Sequence, residues 1–164
     1  DAAAVAKVHV ESWRKSFAGI APPEYLDAMS TEKRERRFRE AFGKPGYKMF
    51  VAEDAEKGIV GFADCGASGD ENFPHEAALY AIYLLQECQR RGIGENLFRL
   101  CRREMLSDGY NSMHLDALEA SPYRSFYEKM GGRIVGEGSH FLGGVEFRTI
   151  VYGWDDLREA LKNE

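Results

Sequence analysis

The stretch Ala77-Ala78-Leu79-Tyr80-Ala81-Ile82-Tyr83-Leu84-Leu85, followed shortly by Gln89-Arg90-Arg91-Gly92-Ile93-Gly94, decides the fold of this chain. The first part carries no charge and is aliphatic or aromatic on both alternating faces, the pattern of a central strand covered on each side; it reads as the best-buried strand of the chain. Beyond the glycines, Ile93, Leu97, Leu100, Cys101 and Met105 recur at i, i+4, i+7, i+8 and i+12. Glu95, Arg99, Arg102 and Arg103 fall opposite them, which specifies an amphipathic helix. Between strand and helix, Gly92 and Gly94 lack a Cβ and let main-chain N–H groups approach a ligand closely. The helix N-terminus adds roughly half a positive charge, and Arg90 and Arg91 add whole ones, so the unit reads as an anion site sized for phosphates.

A pair of glycines also suits an ordinary turn, so the context has to discriminate. A dinucleotide-binding loop needs a third glycine where this chain has Leu97, and a P-loop needs Lys and then Ser or Thr where it has Glu95-Asn96. Neither motif is present.

Working outward, residues 2–17 contain neither Gly nor Pro and place Val5, His9, Trp13 and Ser16 at helical spacing. Pro22-Pro23 opens a short helical turn through Tyr25, Leu26 and Met29, and Ser30 or Thr31 caps a polar helix that ends before Gly43. These two segments read as surface helices, with Lys33-Arg34-Glu35-Arg36-Arg37 a solvated face. Residues 47–53 and 59–67 form a hairpin rich in Val, Ile, Phe and Tyr, and a polar loop spans 66–74. Past the amphipathic helix, residues 110–117 read as a strand, with Met113 and Leu115 alternating against His114 and Asp116. Ser121-Pro122 starts a helix that stops at Gly131-Gly132, and residues 133–137 and 145–154 are closing strands around Gly143-Gly144. Tyr80, Tyr83, Phe141 and Trp154 are core candidates, Tyr83 also being placed to face a substrate. The order ααβββαβαββ predicts a mixed α/β domain spanning 1–164, without repeats or linkers.

The chain has 164 residues, long enough to bury about two thirds of its unfolded surface without staples. Its net charge of −5, from 22 Lys+Arg and 27 Asp+Glu, argues against a dedicated nucleic-acid binder and suits a cationic substrate. No apolar run approaches the roughly 18 residues that span a bilayer, and no signal peptide is visible. Cys65, Cys88 and Cys101 show no CxxC spacing and read as reduced thiols, so the expected compartment is the cytoplasm. The four histidines, His9, His75, His114 and His140, lack metal-ligand spacing, and no metal site is expected. Gly66-Ala67-Ser68-Gly69 falls one residue short of a nucleophile elbow, and Cys88, beside the basic loop, reads as a packing residue.

At Gln89-Arg90-Arg91-Gly92-Ile93-Gly94 the chain resembles the GCN5-related N-acetyltransferase (GNAT) superfamily, whose pyrophosphate loop reads Q/R-x-x-G-x-G/A between a central strand and a helix. Phe126-Tyr127-Glu128-Lys129-Met130-Gly131 is similar to the family's second signature, one helix and one strand downstream. Val8-His9-Val10-Glu11-Ser12-Trp13 and Gly19-Ile20-Ala21-Pro22 resemble the first helix and substrate loop of many members. The resemblance covers nearly the whole chain except a first strand, which would precede Asp1.

It implies a central mixed twisted sheet of about six or seven strands with about four helices, its strands splayed at the cofactor site. It implies acetyl-CoA as acyl donor and a primary amine as acceptor, either a small molecule or a protein N-terminus, attacking directly in a ternary complex. By the same resemblance, the backbone of Ile82, Tyr83 and Leu84 would hold the pantetheine arm, with an N–H polarising the thioester carbonyl. Gln89, Arg90, Arg91, Gly92, Ile93 and Gly94 would hold the pyrophosphate. Tyr127 would protonate the leaving thiolate: a phenol with reference pKa near 10 stays protonated at neutral pH. Related sequences often carry a basic Glu at the position of Ala78. Here Glu76 lies two residues earlier on the same strand face, displaced by about 7 Å, and is the candidate base, with His75, Asp116 or a water chain as alternatives. Ser121 stands where the family often has a cofactor-contacting Asn, and would donate to the cofactor or cap the following helix. Homodimers are common in the family. The displaced Glu and absent Asn also leave open a non-catalytic acyl-CoA-binding sensor.

Overall fold

A computed structural model describes residues 1–159. Three helices come first: α1 (Ala2–Ser16), α2 (Pro23–Asp27) and α3 (Thr31–Phe42). Asp1 caps α1 by accepting from the N–H groups of Ala3 and Ala4, and Ser30 caps α3 by accepting from Lys33 N–H. The hairpin β1 (Lys48–Asp54) and β2 (Gly58–Ala67) leads into β3 (Ala77–Leu84). Then follow α4 (Ile93–Ser107), β4 (Met113–Leu118), α5 (Arg124–Lys129), β5 (Arg133–Leu142) and β6 (Val145–Trp154). The strands form one mixed sheet in the order β1-β2-β3-β4-β6-β5. All neighbours are antiparallel except β3 and β4. This is the mixed α/β architecture expected, with six strands and five α-helices among the described residues.

The sheet is covered on both faces. Leu97, Phe98, Cys101 and Met105 of α4 pack with Met113, Leu115 and Trp154 on one side, where Phe126 and Tyr127 of α5 join them. Val5, Ala6 and Val8 of α1 and Phe38 of α3 pack on Phe62 on the other. Among the described residues no helix is long and apolar enough to cross a membrane, and no group of His, Cys, Asp or Glu is arranged to hold a metal.

The parallel pair is the point of interest. β3 and β4 are in register only at Ala77↔Met113 and Ala78↔His114. Beyond those two residues the strands part, so the expected splay is present.

That divergence also corrects the reading of β3 as the best-buried strand. Its second half is only partly covered and Tyr80 is 50% exposed, whereas β2 has a continuous buried run from Val60 to Gly66. A strand that loses one neighbour loses its cover too. Other details depart similarly. On α4, Leu100 faces solvent and Arg102 is buried, because Phe98 rather than Leu100 fills the slot under the sheet. The residue His114 is buried despite its polar alternation. The last hairpin is longer than expected, with β5 running through Gly138 to Leu142, and Phe141 at its end is exposed. The helix signalled by Ser121-Pro122 begins only at Arg124: Ser121 Oγ accepts from Tyr123 N–H at 3.3 Å, which closes a turn ahead of the helix.

Candidate active site

The loop between β3 and α4 is built from one 3-10 turn, Gln86–Cys88, and two left-handed residues. Arg90 has φ 59° and is the only described non-glycine residue with positive φ; Gly92 has φ 79° and stands at the N-cap of α4. A residue outside glycine seldom adopts this conformation, and such strain concentrates at ligand sites. Gly92 has no side chain to satisfy the first-turn N–H groups of α4, and among the described residues no side chain caps the helix. Those donors are therefore left for an anion. Glu95, the acidic residue in this turn, is ion-paired to Lys129 of α5 and to Arg99, which offsets its repulsion toward a phosphate.

The two arginines diverge in surroundings, although both are exposed. Arg91 borders a cleft of about 300 Å³ whose wall carries Glu53 and Asp54, so part of its field is opposed there. Gln89 is turned inward: its Nε2 donates to Leu84 O at 3.3 Å. The same carbonyl accepts from Ser12 Oγ of α1 at 3.2 Å. The Leu84 side chain occupies space kept open by two glycines. A Cβ on Gly61 would lie 2.2 Å from Leu84 Cδ2, and one on Gly94 would lie 3.4 Å from Cδ1 and 3.5 Å from Phe126 Cε2. The end of β3, the loop and the start of α4 are thus locked together at one residue.

Ile82, Tyr83 and Leu84 line the edge of β3 that β4 has left, so alternate main-chain groups there point into the gap. Tyr127 sits on α5, with its ring 5.6 Å from that of Tyr152. Burial, with Tyr83 and Tyr152 nearby, raises its pKa well above the ordinary phenol, so it remains a proton donor at neutral pH. No hydrogen bond to another described residue occupies its hydroxyl. The hydroxyl of Tyr152, by contrast, is held by Arg124 and Glu128.

Glu76 is not brought to this gap. It precedes β3, is exposed, and accepts from Asn111 N–H at 2.5 Å. Leu84 lies roughly 26 Å further along the strand. His75 is 95% buried and held by Asp155 at 3.1 Å. Asp116 is better placed, two residues beyond the last β4 residue paired with β3, and is exposed over part of its surface. Partial desolvation and Asp70 raise its pKa, while His114 and His140 lower it, with a net upward shift. Ser121 spends its hydroxyl on the turn before α5.

One buried group had escaped sequence reasoning. Asp64 of β2 is 94% buried, and burial pushes its pKa up to about 6 against the opposing pull of the Tyr47 hydroxyl, nearby main-chain N–H groups and Arg34. A single Asp among alternating apolar strand residues was the available signal.

Three comparisons bear on this geometry. Residues 10–132 match the model of the acetyltransferase (GNAT) family. The chain is 35% identical over 96% of its length to the uncharacterized N-acetyltransferase YuaI of Bacillus subtilis, covering 89% of that protein. It is 32% identical over 90% of its length to the probable N-acetyltransferase Rv2775 of Mycobacterium tuberculosis, covering 84% of it. Among solved structures, the PaiA N-acetyltransferase of Thermoplasma acidophilum, crystallised with coenzyme A, superposes with a TM-score of 0.68 at 22% identity, with 92% of this chain and 91% of that one covered.

Proposed function

Because this chain belongs to the acetyltransferase (GNAT) family, we propose that it transfers the acetyl group of acetyl-CoA to a primary amine by direct attack in a ternary complex. The observation that carries this reading is the parting of β3 and β4 after Ala78 and His114, beside a helix N-terminus that no side chain caps. When bound, acetyl-CoA supplies the thioester carbonyl. The first-turn N–H groups of α4, with Arg90, Arg91 and Gly92, hold its pyrophosphate. A main-chain N–H among Ile82, Tyr83 and Leu84 donates to the carbonyl oxygen as negative charge develops there. Tyr127 gives its hydroxyl proton to the departing sulfur: its hydroxyl is unoccupied among the described residues and its raised pKa keeps the proton in place until the thiolate forms.

The amine must lose a proton before attack. Asp116 takes that role in preference to Glu76, since it lies on the strand that borders the gap and its pKa is shifted upward. Gln89 and Ser121 act indirectly, one shaping the loop through Leu84 O and the other closing the turn before α5.

Thiol release from acetyl-CoA, assayed against a panel of primary amines, tests the proposal. Release with at least one amine, abolished or greatly slowed by Tyr127→Phe, is expected. Tight binding of CoA with no release from any amine would instead indicate a sensor.

A further inference from the structure

The face that α3 turns to the sheet carries Arg34, Arg37, Phe38 and Ala41, spaced i, i+3, i+4 and i+7. The basic run is therefore not wholly solvated. With Asp64 and Tyr80 these residues line an open cavity of about 470 Å³, a size typical of small-molecule sites. Packing does not account for three of its features. Arg34 is half-buried, yet among the described residues its guanidinium has no ion pair or hydrogen bond, and burial and Arg37 lower its pKa. Asp64 Oδ2 accepts from the Tyr47 hydroxyl at 2.7 Å, while the buried Oδ1 has no hydrogen-bond partner among the described residues, the main-chain N–H groups of Asp64 and Ala81 that act on the carboxylate falling short of bonding geometry. Tyr47 and Tyr80 stack with ring planes 9° apart, and Tyr80 is fixed by donating to Ala67 O at 2.7 Å, which makes a flat, rigid wall.

A buried acceptor without a donor and a half-buried cation without a counter-ion each cost free energy that a ligand would return. The two groups line the same cavity and feel each other's field, yet among the described residues they form no ion pair. We infer that this cavity binds a small zwitterion of amino-acid type, its carboxylate on Arg34 and its ammonium on the unpartnered Oδ1 of Asp64. Arg37 and Lys44 at the wall favour the carboxylate end electrostatically. Above about pH 6 Asp64 is ionised and can receive an ammonium. The cavity is lined by Asp64 of β2 and Tyr80 of β3. With its ammonium on Asp64, two strands from Asp116 of β4, a bound amino acid is placed as an effector; the binding site does not rest on the acetyl-transfer reading.

Calorimetry without acetyl-CoA separates the two. Amino acids are titrated beside the amines that remain when their carboxylate is removed, with thermal unfolding of each unliganded variant as a check on folding. At least one amino acid is expected to bind, its decarboxylated counterpart at least tenfold more weakly. Arg34→Gln should weaken the amino acid tenfold or more, Arg34→Lys should restore part of that loss, and Asp64→Asn should weaken both ligands. Absence of binding by every amino acid, equal binding of acid and amine, or an unchanged affinity in folded Arg34→Gln would overturn the inference. Mass spectrometry of the ligand after incubation with acetyl-CoA should return it unmodified; an acetylated amino acid would overturn the effector placement. A site that binds but yields no thiol release would stand while the transfer reading failed.

Discussion

Gln89 donates through Nε2 to the main-chain carbonyl of Leu84, 3.3 Å away, so the first residue of the anion loop holds the last residue of the central strand. Its contribution to a ligand is the shape of the loop. Losing one such neutral bond costs about 0.5–1.5 kcal/mol. Gln89→Ala should therefore weaken CoA binding by about two- to tenfold in calorimetry while leaving the fold intact. An unchanged affinity would assign the loop's shape to Arg90 and Gly92 alone.

The two glycines of the loop have different reasons to be glycine, and alanine substitution separates them. Nothing lies within 4 Å of a Cβ built on Gly92, so its requirement is the left-handed φ of 79°. Alanine there should cost about 1–2 kcal/mol of backbone strain, or move the first-turn donors out of place. Gly94 has an ordinary φ, and its Cβ would make near-normal contacts with Leu84 and Phe126. Gly92→Ala should therefore raise the Kd for CoA more than Gly94→Ala does. The reverse order would mean that packing at Leu84, rather than the turn, controls the site.

The Tyr127 hydroxyl has no hydrogen-bond partner among the described residues, and burial keeps it a phenol. Tyr127→Phe should lower kcat by about a hundredfold or more, in the usual range for a lost general acid, with CoA affinity nearly unchanged. A fall in affinity equal to the fall in kcat would assign the ring to binding instead.

Much of this arrangement was legible in the sequence for a physical reason. The anion loop and amphipathic helix are local: glycine spacing, adjacent charge and a 3.6-residue period are properties of neighbours in the chain. Ser30 and the turn at Pro23 could be read likewise. The base could not, because position along β3 says nothing of where β3 and β4 part. Glu76 was suggested by strand-face alternation, yet it is engaged by Asn111 at the far end. Arg34 escaped similarly, since a basic helix looks solvated until the sheet beneath it is known. Ser121 shows the limit for caps, for its hydroxyl closes a turn three residues before the helix begins.

The paired burial of His9 and Asp64 predicts an unusual pH profile of stability. Burial, with Arg34 nearby, lowers the His9 pKa to about 3, whereas burial raises that of Asp64 to about 6. Between pH 4 and 6 the unfolded chain binds a proton at His9 that the native protein refuses, so this histidine makes stability rise with pH. Over the same interval the native protein keeps a proton on Asp64 that the unfolded chain has released, so the carboxylate makes stability fall. Each slope is on the order of 1 kcal/mol per pH unit near pH 5, and they nearly cancel. Removing either partner should unmask the other in denaturant titrations between pH 4.5 and 6. Relative to the intact protein, Asp64→Asn should gain stability more steeply as pH rises, and His9→Gln should lose it. Parallel profiles for all three proteins would show that the two groups do not titrate as their burial requires.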